Sequence, residues 1–256
     1  MPGRPGLGLP NSYKLGEPNL MVMGRRLSES EEEYLEAIYR EQKEAGEARV
    51  SQVASRLGVK APSVVQMFGR LVAKGLASRT ERGVRLTDAG MREGARVVRR
   101  HRLAERLLAD VFGCDLPEVH EKACRLEHAI DDDMAERIGR ILKNPPTCPH
   151  GGPIPGANGR EPGPPTVPLS EMGEGERAVV VRIPEDRQTV QRLLSLRILP
   201  GTEVRVVRRC PWGTVAVEAG GQPVALSRSI AEGIRVASPA AWRRWRCRWR
   251  GGRGRP

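Results

Sequence analysis

The chain has 256 residues, with 43 lysines and arginines against 31 aspartates and glutamates, for a net charge of +12. That length suits two compact domains and a small third, and the charge points to a polyanionic partner. No apolar run reaches the roughly 18 residues of a membrane helix, the 39% hydrophobic content excludes a wholly disordered chain, and five cysteines are too few for a disulfide scaffold. Residues 1–20 lack an apolar signal-peptide core, so a cytoplasmic location is expected and no membrane partner.

The charge is uneven. Residues 1–27 hold +3, 28–47 hold −6 from eight glutamates, 48–92 hold +7, and 243–256 hold seven arginines without an acid. The Gly- and Pro-rich residues 1–27 read as a disordered extension, with Met21 or Met23 as possible alternative starts. The Arg/Gly tail with Trp245 and Trp249 resembles a disordered nucleic-acid arm, and an unstructured, dispensable extension is the favoured reading.

In chain order, Ser28-Glu-Ser-Glu predicts a capped helix start, followed by Tyr34, Leu35, Ile38 and Tyr39 at helical spacing. Residues 49–57 form a short amphipathic helix, Gly58-Val59 a turn, and 61–74 a second helix with Pro62 in its first turn. Residues 76–86 read as a hairpin around Arg82-Gly83. Helix, helix–turn–helix and hairpin together make a winged helix-turn-helix. Its second helix would enter the major groove of double-stranded DNA and its wing would meet phosphates. Lys60, Pro62, Ser63, Gln66 and Arg70 fall on the first, and Arg79, Arg82 and Arg85 on the second. Gln66 suits adenine N6/N7, and Lys60 or Ser63 a base or a phosphate.

Residues 88–143 read as two or three longer helices, including 96–111 and a bent stretch 116–142. A Pro/Gly-rich linker leads to 168. Beyond it, β-branched runs at 178–183, 203–208, 214–218 and 222–227 around a helix at 189–196 predict a small five-stranded barrel.

Three of the four histidines lie between 101 and 128. His101 and Glu105 are four residues apart on one helix face. His120, Cys124, Glu127 and His128 follow at i, i+4, i+7 and i+8, one continuous stripe. Imidazole, thiolate and carboxylate on one face suit a metal and not apolar packing. Cys124 and His128 on one regular helix lack the oxyanion donors of a nucleophilic site. No P-loop, Rossmann or nucleophile-elbow pattern is present, so no enzyme and no small-molecule substrate are expected.

The winged helix, HRLAERLL (101–108), VHEKACRLEH (119–128) and CPHGGPIPG (148–156) together resemble the metal-dependent repressors typified by the diphtheria toxin repressor, a family that includes the manganese transport regulators. Residues 169–238 resemble the SH3-like domain of the ferrous-iron-transport-A type. The resemblance, over about 28–238, implies an α+β multidomain fold with a winged helix-turn-helix (28–95), a helical metal-binding and dimerisation domain (96–145), a linker (146–168) and a small SH3-like β-barrel (169–238), and composition adds a basic tail (239–256). It implies a cytoplasmic, homodimeric repressor, activated by Fe2+ or Mn2+ at two sites per subunit, that binds a palindromic operator and controls metal homeostasis. The alternatives are a manganese-specific regulator, a metal carrier or metalloenzyme, and a protein-docking or non-specific DNA module.

By the same resemblance, an ancillary site matches His101, Glu105 and His120, with Asp186 and Gln188 near two ligands from the third domain. A primary site matches Cys124, Glu127 and His128 with a first-helix methionine whose position falls on Glu33. Glu36 matches an acidic ligand of the manganese branch, which lacks the cysteine. The chain is thus a hybrid: an oxygen in place of a thioether favours Fe2+ or Mn2+, while Cys124 pulls toward softer ions. Metal between Glu33 and the Cys124, Glu127, His128 group would fix the two recognition helices about 34–36 Å apart, or a multiple of that.

Overall fold

The computed structural model describes residues 27–251, so the extension before Leu27 and the last five residues lie outside the described residues. Helix α1 (Glu29–Ala45) starts where Ser28 accepts from the Glu31 N–H and the Glu31 carboxylate accepts from the Ser28 N–H, a reciprocal cap. Strand β1 (Ala48–Arg49), α2 (Val50–Leu57), α3 (Ala61–Ala73), β2 (Ala77–Arg79) and β3 (Gly83–Leu86) complete the winged domain, with the sheet ordered β1-β3-β2. Its core joins Leu35, Ile38 and Tyr39 of α1 to Val64, Phe68 and Leu71 of α3 and Val84 of β3.

Helix α4 (Asp88–Asp110) is one continuous 23-residue rod where a start near 88 and a separate helix at 96–111 were expected. The winged and helical parts are therefore joined through a rigid element, and the 95/96 boundary falls inside it. Its Ala95 and Val98 pack in the first core and its Leu103 and Ala104 in a second, with Ala123, Ile130 and Ile138. Helix α5 (Leu116–Leu126) gives way to a 3-10 turn (Glu127–Ala129) before α6 (Asp132–Ile141).

The expected linker is, in its first part, a packed loop. Thr147 bridges Pro153, and Cys148, His150, Gly151, Gly152 and Ile154 are buried. The Ile183 N–H donates to the His150 carbonyl at 3.0 Å, which ties the loop to the third domain. Proline and glycine here shape a compact fold instead of a free tether.

The third domain is a six-stranded antiparallel sheet, not five-stranded, in the order β4 (Val167–Pro168), β9 (Arg235–Ala237), β5 (Arg177–Arg182), β6 (Glu203–Arg209), β7 (Val215–Ala219), β8 (Gln222–Leu226). The two- and three-residue strands β4 and β9 are too short to show alternation in sequence. Bulges after Val180 and after Val206 bend the sheet around Val180, Val206, Val217, Leu226 and Val236, with Leu193 of α7 (Arg187–Ser195) and Ala231 of α8 (Arg228–Gly233). The expected disordered tail is a helix through residue 251, α9 (Pro239–Gly251), and its Trp245 and Trp249 line a hollow with Leu103 and Ile154 of the helical domain and its loop. Among the described residues, no helix is long and apolar enough to cross a membrane.

Candidate metal centre

The second turn of α1, the middle of α4, the end of α5, the 148–150 loop and the end of β5 meet at one point. His101 on α4 is fully buried at their centre. Its Nδ1 lies 2.5 Å from Glu127 Oε2. Its Nε2 lies 3.1 Å from His120 Nδ1 and 3.4 Å from Glu105 Oε1. Glu105 Oε1 is also 3.5 Å from His120 Nδ1 and 3.2 Å from His150 Nδ1. Four clusters can each converge on one ion: Glu36, His101 and Glu127; His101, Glu105, His120 and Glu185; Glu105, Cys148 and His150; His101, His120 and Cys124.

His101, Glu105 and His120 thus come together, and so do Glu36 and Glu127. Other expected residues lie at the edge of this group, and Glu33, Cys124 and Asp186 line the same cavity as Glu36, His120, Glu127 and Glu185. Glu33 is exposed at the rim of that cavity of about 470 Å3, about 60° round α1 from the buried Glu36. The predicted continuous stripe breaks because α5 ends at Leu126, and the tighter 3-10 turn redirects Glu127 and His128. Cys124 Sγ instead lies 3.9 Å from His120 Nε2. His128 pairs with Glu32 of α1 at 3.0 Å, and Arg100 holds the other Glu32 oxygen at 2.6 Å.

Asp186 and Gln188 are exposed. Asp186 caps α7 by accepting from the Thr189 N–H, which commits its side chain to the helix. The third-domain carboxylate that reaches the centre is Glu185, 3.5 Å from His120 Nδ1. Sequence reasoning missed Glu185 by one residue, and it missed Cys148 and His150 by reading their loop as linker. A Cys-Pro-His run in a Pro/Gly-rich stretch was the available signal. Arg40 was also unforeseen: its guanidinium pairs with Glu36 at 2.5 Å and with Glu185.

The electrostatics are those of crowded carboxylates held by borrowed positive charge. Burial opposes a charged His101, yet Glu36 and Glu105 hold its pKa well above the ordinary imidazole value. His120 is likewise opposed by burial, but its contact with Cys124 and the nearby Glu105 carboxylate lift it to about 10. Burial alone would raise Glu105, and the facing histidines, His101 foremost, pull it well below the usual carboxylate range. Glu127 is pushed up, by burial first and by Glu36 second. Burial also raises Cys124, but His101 and His120 outweigh it and favour the thiolate.

The residues fit a divalent cation. Both Glu105 oxygens and both His150 ring nitrogens are buried without hydrogen-bond partners, and such groups are costly unless something binds them. Mixed carboxylate, imidazole and thiol donors suit first-row divalent metals.

The expected DNA-contacting face of α3 is open. Lys60, Pro62, Ser63, Gln66 and Arg70 are exposed, while Val64, Met67, Phe68 and Leu71 point into the core. Arg79 and Arg82 are exposed on the hairpin. Arg85 is exposed too, but its Nε donates to the Gly46 carbonyl at 2.9 Å, which braces the wing against the end of α1.

Three stretches match known families: residues 26–83 the iron dependent repressor N-terminal DNA binding domain, 87–156 the iron dependent repressor metal binding and dimerisation domain, and 167–238 the FeoA domain. The Mycobacterium tuberculosis protein named iron-dependent repressor IdeR is 35% identical over 224 residues, spanning 82% of this chain and 97% of that protein. The diphtheria toxin repressor of Corynebacterium diphtheriae is 32% identical over 222 residues, spanning 82% and 97%. Among solved structures, a manganese-dependent transcriptional repressor in complex with manganese superposes with a TM-score of 0.75 at 33% identity, covering 81% of this chain and 99% of that one. The crystal structure of T. acidophilum IdeR gives 0.72 at 29% identity, covering 84% and 99%.

Proposed function

The chain belongs to the iron-dependent repressor family, and from that premise we propose a homodimeric, metal-activated transcriptional repressor that binds operator DNA and controls metal homeostasis, with Fe2+ or Mn2+ as the activating ion. The family is one of transcriptional repressors, not enzymes. The observation that carries the mechanism is the convergence of ligand-type side chains from every domain on one buried point: Glu36 from the winged domain, His101, Glu105, His120, Cys124 and Glu127 from the helical domain, Cys148 and His150 from the loop, and Glu185 from the third domain.

Two sites per subunit follow from the two sides of the His101 ring. Glu105, His120, Cys148, His150 and Glu185 gather on the Nε2 side, and Glu36 and Glu127 on the Nδ1 side, with Cys124 and His128 at their edges. A bound divalent cation supplies the charge that lets these carboxylates share a dry volume. The chain's own residues do the rest. Glu36 ties α1 to α4 and α5, and Glu185 ties the third domain to both. That tie selects one arrangement of the winged domain on the dimer from an ensemble.

Dimerisation leaves a visible trace. Val111, Phe112, Met134 and Ile141 are large apolar side chains exposed on the helical domain, as a second copy would cover. Two α3 helices set about 34–36 Å apart, or a multiple, would read successive major grooves. In each, Lys60, Ser63 and Gln66 face base edges, and Arg70, Arg79 and Arg82 face phosphates. The cytoplasm is the compartment in which this function operates. On α1 the carboxylate of Glu33 stands at the thioether position and Glu36 at that of an acidic manganese ligand, which favours the manganese-specific reading over strict iron selectivity. Anaerobic titration of Fe2+ and Mn2+ against operator affinity tests the mechanism and ranks the metals. Equal affinity with metal and with chelator would sink it.

A further inference from the structure

We propose that α9 carries a second, sequence-independent DNA-binding surface that takes the phosphate backbone of a duplex on its arginine face. The choice of polyanion rests on the DNA-binding function above; the surface itself involves neither metal nor the winged domain. The family matches end at residue 238, so α9 is an element beyond them.

Its residues divide by side, with Arg246 at the boundary, its guanidinium 6.0 Å from the centroid of the Trp242 ring. Trp242, Trp245 and Trp249 recur at i, i+3 and i+7, on one face, and are half-buried. Trp242 and Trp245 have ring centroids 4.9 Å apart, and Trp245 and Trp249 wall a cavity of about 890 Å3 against the helical domain and its loop. Arg243, Arg244, Arg246 and Arg248 are all exposed. Residues 239–251 contain no acid, and none of these four arginines has a carboxylate partner among the described residues.

The charge spacing suits a duplex. Four guanidinium groups over residues 243–248 span about 7.5 Å of helix axis, about one per 2.5 Å, between the phosphate-charge spacings of B-DNA of about 1.7 Å for both strands and about 3.4 Å for one. Guanidinium is permanently charged and its fork matches phosphate oxygens. The positive field continues on both sides. Arg248 shares the tryptophan-walled cavity with Arg99, Lys143 and Arg160, and the one acid there, Glu161, is engaged by Arg102 and Lys43. Arg243 shares a hollow with Arg177 and Arg205, against Glu203 and Glu218.

An anionic membrane is the rival polyanion. An interfacial helix binds by sinking a free apolar face into the acyl boundary. In α9 that face is turned onto the protein, which leaves only the cationic face for a partner.

The test uses the full chain in excess chelator with a random-sequence duplex, over about 50 to 200 mM salt. It compares wild type with a variant carrying Arg243→Gln, Arg244→Gln, Arg246→Gln and Arg248→Gln, and with the four corresponding Arg→Lys changes. The plot of log affinity against log salt should be shallower by up to about 3.6 in the glutamine variant, since each of the four phosphate contacts contributes about 0.9. The lysine variant should keep the wild-type slope, and tryptophan emission should be alike in all three. An unchanged slope in the glutamine variant overturns the proposal. So does loss of binding to phosphatidylserine vesicles with duplex binding intact, which would assign the surface to membranes. A wild-type chain whose operator affinity ignores metal would count against the repressor mechanism alone, because this surface is read in chelator.

Discussion

Glu105 concentrates the problem that the centre has to solve. It is fully buried, faces three histidines, and keeps two oxygens without hydrogen-bond partners. Glu105→Gln should abolish the metal-dependent gain in operator affinity, by about 10- to 100-fold if measured as metal affinity, while leaving the metal-free fold intact. Calorimetric metal titration beside a gel shift separates the two effects. The surrounding carboxylates favour a bound proton on this histidine pair in the metal-free protein: the His101 pKa is raised by Glu36 and Glu105, and that of His120 is raised to about 10. Metal and proton compete for the same ring nitrogens, so metal binding at pH 7 should release protons and apparent affinity should climb with pH. Titration in buffers of different ionisation enthalpy counts those protons; a count of zero would contradict the assignment. At this scale the sequence was largely legible. His101, Glu105, His120, Cys124, Glu127 and Glu36 were readable from helical spacing and from resemblance. Glu185, one residue from the expected Asp186, was not, because only the end of β5 and the cap of α7 decide which carboxylate turns inward.

At the scale of elements, α3 and the 148–156 loop do opposite jobs. In α3, Val64, Phe68 and Leu71 anchor a helix whose exposed face is free for DNA. Gln66→Ala should weaken operator binding by about 1–3 kcal/mol and relax sequence preference, with metal affinity unchanged. Phe68→Ala should instead destabilise the winged domain by about 3–5 kcal/mol, seen in thermal melting. The loop is held by backbone. Gly151 has φ +88°, and a Cβ there would lie 1.9 Å from the Val181 carbonyl oxygen. Gly151→Ala should therefore shift His150, lower the melting temperature and blunt the metal response together. The helices and longer strands were legible from periodicity. The packed loop, β4 and β9 were not, because Pro/Gly composition and two- or three-residue strands carry no period, and α9 was hidden because its apolar face depends on what it packs against.

Across the whole molecule, Arg40 stands where a cation is wanted: it pairs at once with Glu36 and Glu185, joining the first and third domains. Arg40→Leu leaves two buried carboxylates uncompensated, so the metal-free protein should lose about 3–5 kcal/mol and saturating Mn2+ should restore much of it. Absence of that rescue in paired melts would argue that the ion does not neutralise these carboxylates. A second clip, Arg182 to Glu44 at 2.5 Å, is pH-sensitive. Burial raises the Glu44 pKa, but Arg182 and Arg56 outweigh it and hold it below its ordinary value. Because the folded value is lowered, the stabilisation is complete above the unfolded value of about 4.3 and disappears as pH falls through the folded one. Glu44→Gln should flatten that acid limb of the stability curve.

By itself the sequence determined the winged helix, the helices that carry the histidines, the exposed side of α3 and the family, because helical period and motif spacing are local properties of a chain. Tertiary structure alone decided which carboxylates meet the histidines, that a proline-rich stretch delivers His150 and Cys148, and that Arg40 balances the site. Each of these depends on where separate elements end and dock, and burial, which turns a nearby charge into a binding requirement, exists only once they have.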